Sequence, residues 1–127
     1  MNTDIVLMVV ILALIGADII TGIIKAIVSG SFSSNEMRAG LLRKSGTIIL
    51  MLLAYGLQYA SGYLDMLPAE LGVVYDGVAA YIILMEIASN VENILIINPE
   101  LGGDKIKKFF GIRGEKDNAD SGQHEER

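Results

Sequence analysis

Four ionisable residues stand inside stretches that are otherwise apolar: Asp18, Lys25, Glu86 and Glu92. A charge at the centre of a membrane helix costs about 2.5–3.5 kcal/mol, so a chain that keeps one there uses it for ion pairing, cation or proton handling, or lining water. Their spacing carries more information than their number. Asp18, Thr21, Gly22 and Lys25 follow i, i+3, i+4, i+7, which is one face of a helix. Glu86, Ser89, Asn90 and Asn93 repeat that spacing, and Tyr55, Gln58, Tyr59 and Gly62 do so again. Three polar or small stripes suit a bundle that hides them inside or lines a water-filled lesion with them. They equally suit static packing, with buried polar side chains gluing helices together.

Depth relates these residues to one another. Asp18 lies thirteen residues past Ile5, and Glu86 thirteen past Val73. At 1.5 Å per residue both sit roughly 20 Å down their helices. Asp18 is therefore expected to meet Glu86 or its neighbours. Two carboxylates at one depth repel, so one would have to be protonated or face water. Lys25 and Glu92 lie deeper, at one common level, and are expected to pair.

The elements that must position these residues follow from hydropathy. The chain has 52% apolar and 20% charged residues, and the charges crowd into short segments with long uncharged runs between them. That distribution belongs to membrane proteins, which confine charge to loops and tails. The first apolar stretch runs over about 5–28. Its fifteen Ile, Leu and Val residues contribute about −5 to −9 kcal/mol to insertion, which outweighs about 3 kcal/mol for Asp18. Only Asp4 is charged before it, so it lacks the basic start of a cleaved leader. A second stretch covers about 45–64, and Ser33 with Glu36 has capping-box spacing that predicts a helix start near Ser34. Tyr55, Tyr59 and Tyr63 approach its far end as interfacial anchors. The third stretch covers about 73–97 and stops at Asn98-Pro99.

The expected architecture is an all-α integral membrane protein with three transmembrane helices in residues 1–98. Residues 99–113 follow as a basic amphipathic segment on the membrane surface, with a short helix over 104–112. Residues 114–127 form an acidic tail expected to be disordered. The first connection carries Arg38, Arg43 and Lys44, the second carries no basic residue, and Lys105, Lys107 and Lys108 follow the third helix. With these as topology anchors, the positive-inside rule places the N-terminus outside and the C-terminus inside. Ala13 and Ala17, and Gly56 and Ala60, have the four-residue spacing of small residues at helix packing faces.

Other chemistry is poorly supplied. The chain has no cysteine, and His124, its one histidine, falls in the polar tail. No nucleophile–base set, metal-ligand cluster or phosphate-cradling loop is recognisable; Gly102-Gly103 is too short to be one. No enzyme activity, cofactor, metal or nucleic-acid partner is expected, and the formal charge of −5 points away from nucleic acid. No internal repeat is visible, which argues against an inverted-repeat transporter.

Three segments together resemble the toxin-secretion and phage-lysis holins, the phage holin 4 family. They are Asp18–Ala26 (DIITGIIKA), similar to that family's first helix; Ser33–Lys44 (SSNEMRAGLLRK), similar to its basic loop; and Glu86–Asn93 (EIASNVEN), similar to its third-helix acidic motif. One departure is Met85, where the family pattern has asparagine. The resemblance implies a holin of the bacterial inner membrane. Such a protein oligomerises in the bilayer and opens lesions that release an endolysin or a toxin, permitting host lysis. An antiholin is a possible partner in that setting. The residues leave two other readings open: a small ion channel or proton-coupled transporter, and a non-conducting antiholin.

Overall fold

The computed structural model describes residues 2–103 and 108. It is all-helical, with no strand among the described residues. Helix α1 spans Thr3–Val28, α2 spans Ser34–Ser61 and α3 spans Val74–Ile97. Each is long and apolar enough to cross a membrane. At 1.5 Å per residue they are about 39, 42 and 36 Å long, against a hydrocarbon core of about 30 Å.

Local chemistry sets the helix ends. Asn2 caps α1 by accepting the Asp4 N–H at 3.2 Å. At its other end Gly30 takes φ +67°, its N–H reaches the Ile27 carbonyl at 3.2 Å, and the Ser31 N–H reaches the Ala26 carbonyl at 2.9 Å. This is the Schellman closure, in which a left-handed residue satisfies the last carbonyls; glycine holds it without Cβ strain. Ser33 caps α2, accepting the Glu36 N–H at 3.4 Å as its spacing predicts. The second helix therefore begins at Ser34, well before the apolar stretch, and Arg38, Arg43 and Lys44 are helical. A short 3-10 turn, Ala69–Val73, follows Pro68 and leads into α3. Val73 cannot cap α3 with its side chain, and the Gln58 carbonyl of α2 accepts the Tyr75 N–H at 3.0 Å instead. A donor at the start of one helix is thus satisfied by its neighbour.

The chain runs up, down and up. Tyr75 at the start of α3 donates its hydroxyl to the Asp4 carbonyl at 3.0 Å. Asn93 near the end of α3 meets Asp18 and Thr21 of α1. The first and third helices are therefore parallel, with α2 antiparallel to both. The main interface is α1 with α3; α2 packs chiefly on α3, and α1 barely touches α2.

A small core of Ile11, Ile15, Met51, Ala54, Tyr75, Ala79 and Ile82 fills the centre. The Tyr75 ring meets Tyr55 edge-on at 5.5 Å. Outside this core the surface is apolar: Val9, Leu12, Ile20, Leu53 and Leu84 all point away from the bundle. In water such a surface would aggregate, whereas in a bilayer it faces acyl chains at no cost. The rings of Tyr55, Tyr59 and Tyr63 step along one end of α2 with neighbouring centroids 6.1 and 5.0 Å apart.

Ala13, Ala17 and Gly56 are exposed and Ala60 is only partly buried. The expected small-residue packing faces are therefore not the contacts inside this bundle. Ala54 and Ala79 are the small residues that let its helices approach. Lys108 is exposed, while Lys105, Lys107, the expected amphipathic helix and the tail lie outside the described residues.

Candidate functional site

The polar stripes of α1 and α3 converge, and α2 adds a cation between them. Asp18 and Glu86 are 8% and 4% exposed. The Lys44 ammonium lies 2.9 Å from Asp18 Oδ2 and 2.6 Å from both Glu86 carboxylate oxygens. One lysine thus holds a carboxylate from each of the other two helices. This settles how two acids share one depth: neither needs to turn to water, because a third helix brings the counter-ion.

A shell of hydrogen bonds fixes the acids. Asn93 donates to Asp18 Oδ1 at 3.0 Å and to the Thr21 hydroxyl at 3.1 Å. Asn90 donates to the Leu14 carbonyl at 3.1 Å and to the Glu86 carbonyl at 2.8 Å. Thr21 bonds back to the Asp18 carbonyl at 3.2 Å and lies 3.4 Å from Asn90 Oδ1. A Cβ added at Gly22 would sit 3.8 Å from the Asn93 amide, so the small residue lies against the network without being forced there. Among the described residues, no buried side-chain nitrogen or oxygen lacks a partner. That completeness matters where no water competes, since an unmatched buried charge costs several kcal/mol.

The stripes predicted from spacing are brought together only in part. Asp18, Thr21, Glu86, Asn90 and Asn93 form the cluster. Gln58 lies elsewhere, capping α3. Ser89 is partly buried and borders an open cleft beside the cluster, as does Lys25. Glu92 is exposed, and the expected Lys25–Glu92 pair does not form: Asn93 meets Asp18 and Thr21, which leaves Lys25 more than a turn beyond Glu92, and Glu92 lies off the buried stripe of Glu86, Asn90 and Asn93. The ion pairs among the described residues all belong to Lys44.

The sequence predicts Lys44 on the first turns of a helix starting near Ser34 and assigns it only as a topology anchor; the structure adds it to the ion cluster. A signal was available: Lys44, Met51 and Gln58 are spaced by sevens, which places them on one helical face once α2 is known to start at Ser34. All three make inward contacts.

Among the described residues no group of His, Cys, Asp and Glu could hold a metal. What the cluster can do is hold charge in a low-dielectric interior where side chains of all three helices meet. It sits about fifteen residues along α1, roughly 22 Å from Thr3 and toward the α1–α2 connection. Asp18, Lys44 and Asn93 also border the cleft between α1 and α2, so solvent entering there would reach the ions first.

No curated protein and no solved structure matches this chain. A model of the bacteriophage holin family matches residues 1–112. The charged junction, the three spanning helices and that match over most of the sequence agree, and the chain belongs to the bacteriophage holin family of non-enzymatic, multi-pass membrane proteins.

Proposed function

We propose that the protein is a holin of the bacterial inner membrane, with its N-terminus outside and its C-terminus inside, which assembles into oligomers and opens lesions for an endolysin. The observation that carries this reading is the Asp18–Lys44–Glu86 junction buried within an apolar exterior. A closed bundle satisfies its charges internally and shows hydrocarbon to lipid. If the helices part, the same groups gain water, and many copies doing so together present a wet wall. The free-energy gap between the two arrangements is then set by one ion cluster, which suits a protein that must wait and then open abruptly.

The test is inducible expression in a bacterium, with and without a cytoplasmic endolysin that has no export signal of its own. Culture density and membrane potential are followed together. The expected result is sudden depolarisation at a reproducible time, with rapid lysis only when endolysin is present. Sustained growth with intact potential would overturn the reading in favour of an antiholin. Selective ion flux in living cells would favour a channel or transporter, a reading supported by the cleft that reaches the cluster.

A further inference from the structure

The cleft between α1 and α2 contains cations that the ion cluster does not use. It has a volume of about 410 Å³ and opens at the end of the bundle where the two helices connect. Lys25 borders it from α1 and Arg43 from α2, and neither forms an ion pair among the described residues. Helical side chains lean toward the N-terminus of their helix. In antiparallel neighbours, Lys25 therefore leans away from the connection, into the cleft, and Arg43 leans toward the connection. Lys44 lies level with Asp18, so Lys25 is level with about residue 37 of α2, and Arg43 starts about 9 Å deeper. The two long side chains reach toward each other across that interval.

The remaining lining specifies what fits. Lys25, Arg43 and Lys44 outnumber the lining carboxylates Asp18 and Glu36 by one, with Glu86 behind Lys44, so the two cations outside the ion cluster face only Glu36 on the wall. Ile23, Phe32 and Leu41 supply an apolar side that a small inorganic anion would not need. Gly40 also lines the cleft, with no atom within 4 Å of where its Cβ would stand, so α2 leaves room there for a bound group. Basic pockets between membrane helices at the headgroup level take anionic lipid headgroups.

We propose that this cleft binds the phosphate headgroup of an anionic phospholipid, held by Lys25 and Arg43, with an acyl chain along Ile23 and Leu41. The site requires only that the bundle spans a bilayer with this end at one interface, and it stands whether or not the protein opens lesions.

The experiment uses the full chain purified in uncharged detergent. Binding of dioleoyl phosphatidylglycerol is compared with that of dioleoyl phosphatidylcholine by native mass spectrometry. The expected preference for the anionic lipid is about thirty-fold, the equivalent of about 2 kcal/mol from two cations at the headgroup level. Lys25→Gln/Arg43→Gln should abolish it while circular dichroism shows the helices retained. Gly40→Leu, which fills the cleft while keeping both cations, should also abolish it. Arg38→Gln, exposed on α2 and outside the cleft, should keep it. Equal binding of the two lipids would overturn the proposal, as would a preference that survives both cleft variants or one lost equally with Arg38→Gln. Displacement of the lipid by low millimolar inorganic phosphate would show a small-anion site and overturn the lipid assignment.

Discussion

Replacing Lys44 by methionine removes the shared cation while keeping most of the side-chain volume. Asp18 Oδ2 and Glu86 Oε2 lie 2.9 and 2.6 Å from one nitrogen, so they are at most about 5.5 Å apart. At that separation and an effective dielectric constant of about 20, two unit charges repel by about 3 kcal/mol. Stripping the partner from a buried ion pair costs about 3–5 kcal/mol by analogy with other proteins, which agrees. If the whole penalty falls on the closed bundle, the open fraction rises by up to about 150-fold, because 1.4 kcal/mol is a factor of ten. The protein has no cysteine, so one introduced at Ala79, 1% exposed in the core, reports opening without background. Labelling by a water-soluble maleimide in membrane vesicles should accelerate tens- to a hundred-fold in Lys44→Met. The triple variant Asp18→Asn/Lys44→Met/Glu86→Gln, in which no charge remains to be matched, should return to within about threefold of the parent, since neutral replacement of a buried ion cluster is often harmless. A Lys44→Met protein that labels no faster than the parent would refute the reasoning. So would a triple variant that labels as fast as Lys44→Met, because the effect would then come from lost packing.

Two further outcomes follow from the helix ends. Gln58→Leu leaves the Tyr75 N–H without its acceptor; a buried donor left unmatched costs about 1–3 kcal/mol, so hydrogen exchange at the Tyr75 amide should rise at least about fivefold while the Lys44 cluster stays intact. Gly30→Ala forces a Cβ into the left-handed region at φ +67°, at a cost of about 1–2 kcal/mol, and should lower the thermal midpoint of the detergent-solubilised protein. Gly46→Ala, in mid-helix with open space around the added Cβ, should leave that midpoint unchanged or raise it slightly.

The three spans, the cap at Ser33 and the holin-family resemblance were legible because each rests on a local pattern: an apolar run, a pair of residues three apart, or a short motif. The approach of Asp18 to Glu86 was also legible, since counting residues down two parallel helices gives depth. Depth alone misled for Lys25 and Glu92: α1 and α3 pair Asn93 with Asp18 and Thr21, which leaves Lys25 beyond Glu92, and Glu92 faces outward. Rotation about the helix axis is set by packing partners, and two helices cannot fix it without the third. Lys44 was obscured for a related reason. Counted with Arg38 and Arg43 among the basic residues that set topology, it gives no sign of facing inward, although the cap at Ser33 already makes all three helical. The outward exposure of Ala13, Ala17 and Gly56 was not readable either, because small residues suit a helix crossing wherever one occurs.

The packing order of the helices differs from their order in the chain. The first helix makes its main interface with the third, yet the ribosome releases the first and second before the third exists. At that stage Asp18 has neither Asn90 nor Asn93 beside it, and its one ionic partner within the emerged hairpin is Lys44. The Asp18–Lys44 bond is therefore the clasp of a two-helix intermediate. The arrival of α3 completes it by adding Glu86 to a lysine already in place, with Asn93 to hold the Asp18 carboxylate and Asn90 to tie α3 to the α1 backbone. A newly made copy that has not yet docked its last helix carries one matched pair and no surplus acid. The docked bundle carries two acids on one cation, a net negative charge in its interior that arrives only with α3.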